Sequence, residues 1–452
     1  MKANNKKFIS DSIITLTRQV MNIGIGILLL VVLTRFLGPV DQGKYSLVTL
    51  LPLMLMMFIS IGINTSTIYF VSKNKFLLET VLKTNILVGI LLSLVAVVAG
   101  LVVIVFFSEA LFEGVEISLL YMVLFSIPFI FLKEFLQTIF HGLQDFKSYN
   151  TLMIINQFAI LGFISLFIIV LDYGLIGAII GFVLGNITTV FVILYLLLKK
   201  KQLRLSSGQF SRPYLKESVD YGFKAYVSNL ATFLNYRLDV FIVGYFLSPA
   251  SVGIYTVAVN VGERITMVST AISSVLFPKI ASEDTEDARN RLTSIVSRNV
   301  LLISILASIA LLIVSDFVIG LFFGREYIQS SDVLKIIMIG IIFLSVEKIF
   351  SNDIAGRGKP EINMYTSIFN VIMNVGLNIL LIPQFGIMGS AYATTITYFI
   401  SFIIKLIIFR KISSQSYSKL LLIQKEDIVL YKSLLKAIQK KIRVNVARKG
   451  SS

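Results

Sequence analysis

Three cations lie deep in apolar stretches of this sequence: Arg18 in Thr15-Leu16-Thr17-Arg18-Gln19, Lys224 within 218–247 and Arg264 within 251–280. A charge at membrane depth is costly, so it faces a water-filled cavity, an opposite charge or a backbone carbonyl. Arg and Lys around a cavity attract anions, and the guanidinium fork suits the paired oxygens of a phosphate. Arg18, Lys224 and Arg264 are therefore expected to line a cationic cavity. Arg237 and Asp239, toward the far end of the Lys224 segment, are expected either to pair structurally or to join that binding surface. The adjacent charges Lys133-Glu134 and Glu347-Lys348 suit a segment end as well as a cavity wall. Asn370, Asn374 and Asn378 recur every fourth residue and share one helical face, which suits bonding between helices. Arg35 and Lys279 sit at segment ends and are expected to snorkel to the interface.

The elements that carry these residues are membrane helices. With 56% hydrophobic residues, 15% charged residues and a mean hydropathy of +0.86, a soluble globule is excluded. About 20 apolar residues cross a bilayer as a helix. Six such segments are expected in the first half, near 8–37, 45–71, 81–107, 117–140, 151–171 and 174–198. Six more follow near 218–247, 251–280, 292–323, 333–355, 362–382 and 386–409. The first is preceded by a short basic stretch without a small-residue cleavage site, so it reads as a retained helix. Pro52 and Pro128 are expected to kink their helices, and Gly24, Gly26, Gly62, Gly89, Gly177, Gly181 and Gly185 to permit close packing or bending.

Charge sets the topology. The net charge of +16 concentrates in the N-terminus, the 73–83 region, Lys147, the 199–212 stretch, Arg289/Arg291, Arg357/Lys359 and the tail. That pattern marks one face as cytoplasmic, with both termini on it, and it points to a membrane, not to nucleic acid. The expected organisation is a six-helix lobe over 1–198, a basic linker over 199–213, a second six-helix lobe over 214–410 and a basic tail over 411–452. Along 428–442 the tail places apolar residues on one side and lysines elsewhere, as a surface helix on the inner leaflet would, or a basic extension serving topology alone. The absence of cysteine excludes disulfides and thiol chemistry, no Walker-type loop is present, and no cofactor or metal is expected.

The chain repeats itself. Phe36-Leu37-Gly38-Pro39-Val40-Asp41-Gln42-Gly43-Lys44-Tyr45 is echoed 210 residues later by Phe246-Leu247-Ser248-Pro249-Ala250-Ser251-Val252-Gly253-Ile254-Tyr255. Leu111-Phe112-Glu113-Gly114 returns as Leu321-Phe322-Phe323-Gly324 at the same offset. Tyr173-Gly174-Leu175-Ile176-Gly177 returns as Phe385-Gly386-Ile387-Met388-Gly389 at 212. Several anchors in order at nearly one spacing mark a duplication. An even number of helices per copy makes the copies parallel, related by an axis along the membrane normal.

Thr34-Arg35-Phe36-Leu37-Gly38-Pro39 with Gly43-Lys44-Tyr45, the glycine-containing stretches His141–Phe146 and Ala355–Pro360, and Tyr173–Ala178 give the chain a resemblance. Over about 8–410 it resembles the polysaccharide-biosynthesis flippases of the multidrug/oligosaccharidyl-lipid/polysaccharide exporter superfamily. The resemblance implies an all-α membrane protein, two six-helix lobes in a V, and alternating access. It implies a polyprenyl-diphosphate-linked oligosaccharide as cargo, its lipid tail left among membrane lipids, with glycan polymerase machinery as a further partner. Arg18 and Arg264 match, in helix and depth, cavity arginines that hold the diphosphate in related lipid-precursor flippases. The competing readings are a cation-coupled multidrug exporter, which wants deep carboxylates such as Asp220, Asp239 or Glu263, and a membrane glycan polymerase or ligase. The second needs catalytic groups on a sizeable outer loop, and all outer loops are short. No enzyme activity is expected.

Overall fold

The computed structural model describes residues 2–204, 206–283, 285–425 and 427–428, with Arg18 and Lys224 described by their backbone alone. The tail pattern expected along 428–442 falls, beyond Ile428, outside the described residues. The described chain is helical throughout. Its first half carries α1 (Lys2–Ile59), α2 (Ile63–Ser72), α3 (Leu78–Leu111), α4 (Ile117–Leu124), α5 (Ile127–Gly142), α6 (Phe146–Ser165) and α7 (Gly174–Tyr195). The second half carries α8 (Arg212–Phe246), α9 (Pro249–Glu263), α10 (Thr266–Ser282), α11 (Glu286–Phe322), α12 (Gln329–Gly356), α13 (Pro360–Phe385), α14 (Ile387–Ser413) and the short α15 (Tyr417–Leu421). Without water to satisfy its peptide groups, a segment crossing lipid closes its hydrogen bonds within itself, and the apolar runs therefore become helices. Eight helical stretches among the described residues are long and apolar enough to cross a membrane by length and composition. The second half also holds helices punctuated by charge: α8 carries Asp220, Lys224, Arg237 and Asp239.

Helix boundaries follow local chemistry. Asp145 caps α6 by accepting from the Ser148 N–H at 3.0 Å. Ser211 caps α8 by accepting from the Tyr214 N–H at 3.2 Å, with Pro213 in the first turn, so this helix begins inside the basic linker. Near Pro128 the helix is interrupted for two residues, with α4 ending at Leu124, α5 starting at Ile127, and Phe125 and Ser126 between them still in the right-handed helical region. Pro52 stays inside helical dihedral angles. The stretch 36–45 is tighter than a turn with a loop. Only Gly38 leaves the helical region (φ 69°, ψ 178°), and the helix resumes at once through Pro39.

The second segment of each half is broken, where the sequence reading expected continuity. The first break lies at Ser60–Gly62, where both Ile61 (φ 49°) and Gly62 (φ 77°) are left-handed. For a β-branched residue that is a strained conformation, costing about 1–3 kcal/mol. The second break separates α9 from α10 at Arg264 and Ile265, bridged by hydrogen bonds from Ile265 N–H to Gly262 O (3.1 Å) and Met267 N–H to Arg264 O (3.2 Å).

The described residues form two compact units, one comprising Met1–Val261, Val314–Ile336 and Ser367–Ala393, the other Gly262–Ile313, Ile337–Thr366 and Thr394–Ser452. The first unit packs a core of Phe70, Val81, Leu136, Phe140, Leu152, Ile193 and Tyr214. The second packs Val346, Phe350, Phe402, Leu406, Phe409 and Leu420, beside a smaller cluster around Leu276, Ile280, Val300 and Ile349.

Candidate functional site

In the first unit the two copies of the duplicated turn lie against each other, and they do so reciprocally. A Cβ on Gly43 would overlap the Pro249 carbonyl, and a Cβ on Gly253 would overlap the Pro39 carbonyl. Each copy thus offers its proline carbonyl to the glycine of the other. Only residues without a side chain allow backbones so close. Gln42 fastens the seam, donating to Thr256 Oγ1 at 3.3 Å and to Ser46 Oγ at 3.1 Å. Asp239, 3% exposed, accepts from Tyr255 Oη at 2.5 Å and from the Val240 N–H at 2.8 Å, which ties the end of the second copy to α8. Leu30, Val257, Ile319, Phe323 and Tyr327 form an apolar plug beside it.

Arg35 joins this end of the unit. Its guanidinium donates to the carbonyls of Phe322 (3.0 Å), Gly320 (3.3 Å) and Leu321, capping α11 where the helix leaves its last carbonyls unpaired. The sequence reading had it snorkelling to the interface, because nothing local shows that a helix end 287 residues away lies within reach.

A second close approach runs along α8. A Cβ at Gly62 would overlap the Gly222 carbonyl, and one at Gly222 the Gly62 carbonyl. Tyr226 Oη donates to Phe58 O at 2.6 Å, and Tyr69 stacks on Tyr221 with ring centroids 4.2 Å apart. Farther along, Tyr214 Oη donates to Asn85 Oδ1 at 3.0 Å and lies 2.9 Å from Thr67 Oγ1, while Lys75 pairs with Glu217. The break at Ser60–Gly62 is therefore held open against α8. Gly62 does both things expected of it, bending its helix and admitting a neighbour.

In the second unit, Arg264 sits at the α9–α10 break and is half-buried. Lys348 donates at 3.2 Å to Oγ1 of Thr266, the first residue of α10 immediately after that break. Nearby, Lys405 is 1% exposed and donates to Asn363 Oδ1. Asn363 Nδ2 in turn donates to Ser351 O (2.8 Å), and Ser351 Oγ to Glu347 Oε1 (2.6 Å). The chain of bonds links α14, α13 and α12. At the same unit's other polar cluster, Arg357 and Asp353 pair at 2.5 Å, with Thr293 donating to Asp353 at 2.5 Å and Asn290 accepting from Arg357 at 2.8 Å.

The sequence profile of the polysaccharide biosynthesis protein family matches residues 8–284, and the MatE profile matches 225–380. The chain belongs to the polysaccharide biosynthesis protein family. It is 29% identical over 204 residues to a Haloferax volcanii protein named probable low-salt glycan biosynthesis flippase Agl15, covering 44% of this chain and 41% of the relative. Probable flippase AglR of the same organism is 29% identical over 167 residues, 35% of each chain. The chain thus matches less than half the length of these two curated relatives. An uncharacterised membrane protein of Methanocaldococcus jannaschii is 24% identical over 80% of this chain and 76% of its own. Among solved structures, a multidrug resistance MATE family transporter described as inward-facing superposes with a TM-score of 0.75 at 16% identity, over 89% of this chain and 98% of that one. Lipid II flippase MurJ in an inward closed conformation does so with 0.75 at 18% identity, over 90% of both chains. The fold is theirs.

For this family member, the five residues singled out from the sequence fall into separate settings. Arg237 and Asp239 lie in the first unit, where Asp239 supports the seam and Arg237 donates to the Tyr236 carbonyl at 3.0 Å. Lys224 lies on α8 between Gly222 and Tyr226, the two residues that meet the α1–α2 break. Arg264 occupies the other break, in the second unit. Arg18 belongs to the helical first segment. Lys405 escaped the sequence reading. Its signal was a single cation among Phe399–Phe409, close enough to the helix end to pass for an interface lysine.

Proposed function

We propose that the chain is a flippase that carries a polyprenyl-diphosphate-linked oligosaccharide across the cytoplasmic membrane for cell-surface polysaccharide synthesis. The observation that carries this reading is the reciprocal seam between the duplicated turns. Two pseudo-equivalent backbones meet through glycine, with one glutamine bond across them and an apolar plug beside them, and this contact serves as the closure that parts when the states exchange. The broken second segment of each half supplies points of bending; Arg264 stands at the second break, and Lys224 belongs to α8, the helix that packs on the first. In this reading Arg18, Lys224 and Arg264 attract the diphosphate, while Arg237 and Asp239 border the path and keep its closing end in register. The lipid tail stays in the bilayer. Twelve spans, two parallel lobes and cytoplasmic termini complete the scheme, with inward-open and outward-open states exchanged by movement of the repeats and no covalent step. The names of the Haloferax relatives and of MurJ support a lipid-linked cargo.

The matching MatE profile favours one other reading, export of an organic cation. Both are separated by one experiment: transbilayer movement of a polyprenyl-diphosphate oligosaccharide in proteoliposomes, comparing the unmodified chain with Arg18→Ala and Arg264→Ala. Movement that is lost in both folded variants is the expected result. Absence of movement with any lipid-linked glycan, together with gradient-driven efflux of an organic cation, overturns it.

A further inference from the structure

The three hairpins that the first half sends to the turn-bearing end converge on one cavity of about 290 Å³, lined by Asp41, Glu116, Ser118, Leu119, Tyr173 and Leu175, with Ile176 at its edge. That volume is close to the lower bound of small-ligand sites, roughly 300 Å³. Its polar groups are organised. Lys44, with a side chain 14% exposed, lies beneath and pairs with Glu116 at 2.7 Å and with Asp41 at 4.0 Å. The two carboxylates are themselves 42% and 55% exposed and both line the cavity. The hydrogen bond from Lys44 also holds the Glu116 carboxyl below the usual carboxylate range, so it stays an acceptor at neutral pH. Tyr173 is flanked by two left-handed neighbours, Asp172 (φ 54°) and Gly174 (φ 51°), stacks on Phe167, and is 54% exposed as a residue.

The duplication provides an internal control. At the 210-residue offset Asp41, Lys44 and Ser118 become Ser251, Ile254 and Ile328, and at 212 Tyr173 becomes Phe385; only Glu116 keeps its type, as Glu326. The second half carries the corresponding turns without the aspartate, the lysine, the serine and the phenol, so these four groups are not needed to make the hairpins. An aromatic belt residue at a membrane interface needs no carboxylate pair beside it either.

We infer that this cavity is a subsite for a neutral or amino-sugar residue of a glycan. The exposed tyrosine ring suits the apolar face of a pyranose, and carboxylates fixed by a lysine accept hydrogen bonds from neighbouring hydroxyls. The carboxylates outnumber the lysine, and Glu109 at the end of α3 and Glu113 on the loop that follows add negative charge, so a uronic acid is disfavoured. The inference rests on the glycan-carrying reading above, but its test does not require transport.

The chain contains no tryptophan, so Tyr173→Trp keeps an aromatic platform and creates a single reporter. Purified Tyr173→Trp protein is titrated with chitotetraose, maltotetraose and tetragalacturonate, following tryptophan emission. A saturable change with either neutral tetrasaccharide, half-complete at about 1 mM, and none with tetragalacturonate is expected. Asp41→Asn in that background weakens the response by about ten- to a hundredfold, and Phe385→Trp in place of Tyr173→Trp gives no response. No saturable change with either neutral sugar in protein of unaltered thermal midpoint overturns the inference, as does equal binding of the uronate. A normal sugar response in protein that moves no lipid-linked glycan leaves the subsite standing and removes the flippase reading.

Discussion

Adding one methyl group at Gly43 tests whether the seam is a closure. A Cβ there overlaps the Pro249 carbonyl, a backbone atom that cannot rotate away, so the two turns must separate. Overpacking of this kind costs about 1–3 kcal/mol. Loaded on an equilibrium between closed and parted turns, it shifts the ratio by about 5- to 150-fold. Because the contact is reciprocal, Gly253→Ala strains the same seam through the Pro39 carbonyl, and the pair is expected to cost clearly less than the sum of the single changes. The assay uses the absence of cysteine. Thr256, 6% exposed and facing Gln42, is replaced by Cys, and its reaction with a membrane-impermeant maleimide is followed. Gly43→Ala accelerates labelling within the stated range. Gly24→Ala, where a Cβ meets nothing within 4 Å, leaves it unchanged. Equal labelling in the two variants, at equal thermal stability, refutes a closure at this seam.

Two further outcomes follow from buried charge. Asp427 and Arg298 pair with side chains 1% and 4% exposed, and this pair ties the stretch after α15 to α11. Burial works against the Asp427 charge, yet hydrogen bonds from Arg298, the Gln424 N–H and Asn299 hold its carboxyl below the usual range. A carboxyl lowered in the folded state stabilises above its unfolded pKa, near 3.9, and loses that contribution as pH falls through the folded value. Tryptic cleavage at Lys419 and Lys425 should therefore stay slow at pH 7. Asp427→Asn, which strands Arg298, should cost about 3–5 kcal/mol locally and make cleavage fast at that pH. For Lys405, Asn363→Ala removes the amide oxygen that accepts from a buried cation and should lower the thermal midpoint, whereas Lys405→Met, apolar and similar in size, should be nearly neutral and should rescue Asn363→Ala. A more damaging Lys405→Met would show that the lysine itself holds α13 and α14 together.

Much of this molecule was readable one segment at a time. Apolar length and the lipid environment leave the helix as the only solution, and Gly38-Pro39 marks the first reversal because glycine alone is relaxed at that φ. The broken second segments were not readable. Ile61 has a side chain that disfavours the left-handed region, and it takes that conformation beside a backbone contact between Gly62 and Gly222 that its own neighbours in sequence do not reveal. Asp239 was noticed as a charge in a helix, but its partner Tyr255 stands in the second copy of the duplicated turn, and no spacing rule connects them.

The sequence by itself determined the class, the duplication and the family, since these depend on composition, period and offset, which a linear chain displays in full. Only the tertiary structure decided that the duplicated turns face each other, that Arg35 caps α11, and that Asp41, Glu116 and Tyr173 share a cavity. Those are relations between residues tens to hundreds apart, set by how helices pack. Packing depends on the shapes of both partners at once, and neither partner's local sequence contains the other.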